Sequence, residues 1–149
     1  MGDQRFRMLC FNGDIEVVMT ALDNGADINE ADFGGDTGLM YALHRHHNNV
    51  VQVLLNHPQI DVNKIGDFTG WSALHWAVMV DNHEGLEALL AHQHLTTTTI
   101  NHRDNLGQSP IIQAVANNAV NCFNLLVENP RVDLDTRDDF KRDPQEVLR

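Results

Sequence analysis

The chain has 149 residues, two cysteines and a formal net charge of −11, a length that suits one ordinary domain able to bury most of its apolar surface. Ten Lys and Arg against 21 Asp and Glu leave too little positive charge for the counterion release on which nucleic-acid or anionic-membrane binding depends. No apolar run approaches the roughly 20 residues of a membrane span and Met1-Gly2-Asp3-Gln4-Arg5 lacks an apolar signal core, so an intracellular protein, cytoplasmic or nuclear, is expected.

A first unit spans residues 4–29. Phe6, Leu9 and Cys10 recur at helical spacing, Gly13 closes that helix, and Ile15, Val17, Val18 and Leu22 form a second apolar stripe ahead of Gly25-Ala26-Asp27-Ile28-Asn29. Gln4, Arg5 and Arg7 give it the wettable outer face of a terminal cap. The second unit, 30–63, opens on Asp32-Phe33-Gly34-Gly35-Asp36-Thr37-Gly38-Leu39-Met40-Tyr41-Ala42. Its second helix is Val50-Val51-Gln52-Val53-Leu54-Leu55, which must stop before Pro58, and the unit closes on Asp61-Val62-Asn63. Gly38 at a first helical position should loosen the joint there.

The third unit, 64–101, opens on Asp67-Phe68-Thr69-Gly70-Trp71-Ser72-Ala73-Leu74-His75-Trp76-Ala77 and carries a second apolar run ending Leu89-Leu90. Its tail is three residues longer than the second unit's, and its β-branched run, Thr96 to Thr99, predicts an extended, exposed loop. The fourth unit, 102–135, opens on Asp104-Asn105-Leu106-Gly107-Gln108-Ser109-Pro110-Ile111-Ile112-Gln113-Ala114, with Cys122, Phe123, Leu125, Leu126 and Val127 in its second helix. Asp138 to Pro144 begins the pattern again, so residues 136–149 read as a half-repeat cap or as the edge of a longer scaffold. Thr37, Ser72 and Ser109 stand 35 and 37 residues apart. A unit of this kind cannot bury its apolar face alone and needs stacked neighbours.

The opening Asp-x-x-Gly-x-Ser-Ala-Leu-His-x-Ala of the third unit, the helical pair and the closing Asp-Val-Asn resemble the ankyrin repeat. His75 and Ala77 match its pattern outright, whereas Gly38 and Met40 replace its Pro and His. The resemblance implies an all-α solenoid of stacked helix-turn-helix units joined by β-hairpin loops, a single domain over 1–149 of about four repeats plus a partial fifth. It places His75 in a bridge to the adjacent hairpin. It also implies a concave binding face of hairpin tips and first helices, here Phe33, Asp36, Tyr41, Phe68, Trp71, Trp76, Met79, Leu106, Gln108 and Gln113. Asn63, with Leu55 eight and Asp61 two positions earlier, fits the family's asparaginyl hydroxylation sites.

The chain carries few of the motifs that chemistry requires. There is no Gly-rich phosphate loop, nucleophile elbow or His-Glu-x-x-His, so no catalytic residue and no cofactor is assigned. His44-x-His46-His47 and His92-x-His94 keep open a metal-dependent protein or enzyme, although their spacing favours surface histidines and no metal ligand is named. Asp32, Asp67, Asp104 and Asp138 recur with the period and are expected to bond the amides of their own hairpins. Cys10 and Cys122, in the first and fourth units, are expected to stay reduced, with Cys122 a small buried hydrophobe. The expected function is non-enzymatic protein binding by a monomer. Its partner would be a segment with basic residues flanking an apolar anchor, because the apolar tips are set in an acidic chain.

Overall fold

A computed structural model describes residues 5–134. The expected Asp138–Pro144 repeat start and the cap over 136–149 lie outside the described residues. Helices pair along the chain: α1 (Phe6–Asn12) with α2 (Ile15–Asp23), α3 (Gly38–His44) with α4 (Asn48–Leu55), α5 (Ala73–Met79) with α6 (His83–Leu90), and α8 (Pro110–Asn117) with α9 (Val120–Glu128). The first helices stack in the order α1, α3, α5, α8 and the second in the order α2, α4, α6, α9, giving two helical layers with the apolar core between them. Leu39, Leu43, Leu54, Leu74, Leu86, Leu89, Ile111 and Leu126 are among its largest aliphatic residues, all out of water. No helix among the described residues is long and apolar enough to cross a membrane.

The turn joining each helix pair fixes the register. Gly13, His46, Asp81 and Asn118 all sit at positive φ between the two helices of their units. Only glycine adopts that backbone freely, so the three side chains carry a strain that the following contacts offset. Asp81, for example, accepts the Cys122 amide at 2.9 Å, tying the third unit to the fourth. Counting from these positions makes Met8, Tyr41, Trp76 and Gln113 equivalent, and likewise Phe11, His44, Met79 and Ala116.

The first helices α3, α5 and α8 each follow a hairpin-shaped loop, and among the described residues these loops carry one isolated bridge, Ala31 to Thr37. Asp32 accepts the amides of Gly34 and Asp36 at 2.9 Å each, and Asp104 those of Leu106 and Gln108 at the same distance. Asp67 does not repeat this, contrary to the periodic expectation. The third loop is one residue longer, so Gly66 closes onto the Trp71 carbonyl where Asp32 and Asp104 close theirs, and Thr69 Oγ1 takes the Trp71 amide instead. Neighbouring loops are joined by backbone: the Asp67 amide donates to the Gly34 carbonyl at 2.8 Å and the Asn105 amide to the Thr69 carbonyl at 3.0 Å. Gly35 (φ +86°) and Gly70 (φ +72°) permit this approach, since a Cβ there would lie 2.8 and 3.0 Å from the next loop's amide nitrogen.

Gly38 has a packing reason that its sequence neighbours hide. A Cβ at that position would stand 2.7 Å from the sulfur of Cys10, so the residue lets α1 close onto α3. Both cysteines are buried free thiols, and burial pushes the Cys10 thiol up to about 12. The threonine run departs from the expected extended loop. Thr96 caps a one-turn helix, α7 (Thr97–Ile100), its Oγ1 accepting the Thr99 amide at 3.1 Å, while Thr99 and Ile100 are buried. The three extra residues coil instead of extending because Ile100 must return to the core place that Val62 fills one unit earlier.

Candidate functional site

Three loop tips present apolar side chains to water. Phe33 is 93% exposed, Phe68 66% and Leu106 64%, one at each successive tip, and Phe33 meets Phe68 edge to face at 5.8 Å. Met79, at the end of α5, is also exposed. Loop backbones locked to one another hold the tips at fixed spacing, so exposing them costs the protein apolar surface but little freedom.

Beside this row the first helices form a depression of about 350 Å³, lined by Met8, Phe11, Asp36, Tyr41, His44 and Trp76. Asp36, Tyr41 and Trp76 were expected on this face; Met8 and Phe11 come from the first unit and escape a search keyed to the loop motif. The left-handed turn at Gly13, counted back by the register above, is the signal that finds them. Tyr41 donates its hydroxyl to Asp32, and Arg45 lies over the Phe11 ring, 4.6 Å from its centroid. Asp36 is different. Its Oδ1 is buried without a hydrogen bond, and burial, with the charges of Asp32 and Asp67, pushes its carboxyl up to about 6. Against the cost of its own burial, Asp32 is held below the usual carboxylate range by the Tyr41 hydroxyl and the Asp36 and Gly34 amides. His44 Nδ1 and Trp76 Nε1 are likewise buried without partners, their rings edge to face at 5.5 Å.

Other expected face residues belong to the frame. The Trp71 indole N–H donates to Asp104 at 2.9 Å, and its ring stacks on His75 and meets Trp76 edge to face, leaving it half-buried. His75 Nε2–H donates to the Gln108 carbonyl at 2.8 Å while Nδ1 accepts the Ser72 amide at 3.1 Å, which fixes the neutral tautomer and spans two units. Gln108 thus offers its backbone to the array. Gln113, in the place that Tyr41 and Trp76 hold, is buried at 2% exposure instead of facing water as a contact residue would.

The first histidine cluster of the sequence separates in space, whereas His92 and His94 stay adjacent, with ring centroids 5.6 Å apart. His44 lines the depression, His46 occupies the turn, and His47 Nε2–H donates to the Phe11 carbonyl at 2.9 Å; His92 does the same to Leu55 at 3.0 Å. Among the described residues no three His, Cys, Asp or Glu converge as a metal site. A ladder of asparagines was only partly foreseen. Asn29, Asn63 and Asn101 donate Nδ2 to Gln59, His94 and Arg131 carbonyls, and their Oδ1 atoms accept the amides of Asp61, Thr96 and Asp133. Asn63 is therefore one member of a structural series.

Comparison with known proteins agrees with this architecture. A family model described as ankyrin repeats (3 copies) matches residues 6–104. The chain is 28% identical to human Rabankyrin-5 and 27% to its mouse counterpart over 112 residues, 75% of this chain and 9% of each relative. It is 36% identical over 74 residues, half of this chain, to the probable E3 ubiquitin-protein ligase XBOS33 of rice, Oryza sativa subsp. japonica, and covers 13% of it. The chain thus spans about a tenth of the length of the curated relatives it matches.

Proposed function

Because the chain belongs to the ankyrin-repeat family, whose repeats are generally protein-protein interaction modules, we propose that it is a non-enzymatic module that grips one partner protein across its loop tips and first helices. The row of exposed Phe33, Phe68 and Leu106 carries this reading, since large apolar side chains held rigidly in water lose little entropy when a partner covers them. Acidic surroundings suit a partner segment with basic residues beside an apolar anchor. The test is selection of short linear peptides from a display library, followed by calorimetry. Phe33→Ala combined with Phe68→Ala should weaken the selected peptides by about 2 kcal/mol, roughly thirtyfold, and leave the melting temperature unchanged. Equal affinity for the substituted and unsubstituted protein sinks the reading.

Asn63 is also proposed as a substrate for an asparaginyl hydroxylase. Its amide accepts from and donates to the next unit, and its backbone N–H donates to Asp61 Oδ1 at 2.9 Å, which places that carboxylate beside the carbon that would be oxidised. After incubation with such an enzyme, peptide mass spectrometry should show one added oxygen on the peptide bearing Asn63 and none on that bearing Asn101. The reverse pattern discards the assignment.

A further inference from the structure

The depression lined by Met8, Phe11, Asp36, Tyr41, His44 and Trp76 is set back from the apolar tips, and its chemistry differs from theirs. Three aromatic rings and a methionine form most of its wall. A carboxylate group stands among them, and a ring face next to a carboxylate is an arrangement that attracts an ammonium or guanidinium more than an apolar or anionic group. The chain already uses one ring this way, with Arg45 over Phe11.

Local charge points in the same direction. Asp36 faces Asp32 across its own loop and Asp67 from the next, and both oppose its ionisation. Two cations stand at the rim and neither pairs with Asp36: Arg7 pairs with Glu30 and reaches the Tyr41 hydroxyl, and Arg45 lies on the Phe11 ring. His44, with its Nδ1 unpartnered, and Tyr41, whose hydroxyl donates to Asp32, are the other titratable groups in the wall. Asp36 Oδ1 accepts no hydrogen bond, and it packs against Gly66, where a Cβ would come within 2.8 Å of it. A carboxyl pushed up to about 6 in this setting is a charge without a counterion, and a cation entering the depression would supply one.

We propose that this depression is a subsite for a single lysine or arginine side chain of the bound partner segment, seated against Tyr41 and Trp76 with its charge opposite Asp36. The proposal rests on the reading of the tips as a binding face, and it specifies the basic residue expected next to the apolar anchor. A free volume of about 350 Å³ accommodates one long side chain but not a folded element. Trp71 and Trp76 are the only tryptophans, so the indole N–H resonance of Trp76 is a direct reporter.

The experiment titrates the protein with Nα-acetyl-lysine methylamide, Nα-acetyl-arginine methylamide and the neutral Nα,Nε-diacetyl-lysine methylamide, followed by two-dimensional NMR. Both cationic probes should move the Trp76 indole resonance saturably at millimolar concentration, and the neutral probe should bind at least tenfold more weakly. Asp36→Asn should lower affinity for the cations about tenfold and abolish the preference over the neutral probe; its melting temperature, expected unchanged or raised, shows that the fold is intact. Phe33→Ala with Phe68→Ala should leave these titrations as in the unsubstituted protein. Equal binding of charged and neutral probes, no saturable shift, or an undiminished response in Asp36→Asn overturns the subsite. The tips are judged separately by the selected peptides, so either reading can fail while the other stands.

Discussion

His75→Ala should lower folding stability by about 3 kcal/mol, a fall in melting temperature on the order of 10 °C, read by denaturant and thermal unfolding. The imidazole is fully buried and holds two groups at once: the Gln108 carbonyl on the next loop and the Ser72 amide at the start of its own helix. Alanine leaves both without partners in a dry site and adds a cavity beneath Trp71. Because stability in a stacked array includes interface terms between neighbours, the loss should also appear as faster amide exchange at Asp104 and Gln108. An unmoved melting curve would show that the bridge contributes nothing.

The same residue sets a pH dependence. Burial holds His75 neutral and lowers its pKa from 6.5 to about 4, overriding the Gln108 carbonyl and the Asp104 charge, which favour protonation. The unfolded chain therefore binds the extra proton first. The stabilisation is complete above about 6.5 and is lost as the pH falls towards about 4, roughly 3 kcal/mol in all. Asp36 acts oppositely. Its folded carboxyl takes up a proton near 6 where the unfolded one waits until 3.8, so it adds stability as the pH falls through that window. Asp36→Asn should then steepen the acid loss, and His75→Ala should reverse its sign between about pH 6 and 4.

Asn82→Ala should cost a similar amount, about 3 kcal/mol, though nothing in the sequence singles the residue out. Asn82 caps α6 by accepting the Gly85 amide at 3.0 Å, donates to the Leu43 carbonyl of the preceding unit at 3.0 Å, and exchanges hydrogen bonds with Asn48. It is 2% exposed, so water cannot replace these partners. Asn82→Ser keeps a capping oxygen but not the donor to Leu43, and should recover about 1 kcal/mol of the loss. Full recovery by serine would assign the whole effect to the cap.

Fold and period were legible from residue order because they rest on local chemistry. Apolar spacing selects the helices, Thr37 and Ser72 cap two of them through side-chain oxygens, and glycine marks positive φ, all within a few residues of one another. The exposed tips followed from the same register, since a loop tip has nothing above it to bury a Phe33. Sequence could not decide which face residues remain available, because that depends on contacts some 30 to 40 residues away. Trp71 is tied down by Asp104 and His92 is turned inward to the Leu55 carbonyl. Gln113 is buried where its equivalents line an opening, and Met8 and Phe11 complete that opening from a unit lacking the motif. Asp67 lost its expected loop bonds to one extra residue, whose effect on register shows only when the next loop is stacked against it. Periodicity thus determined the repeated scaffold, whereas the contacts between successive repeats decided which side chains serve as struts and which are left to meet a partner.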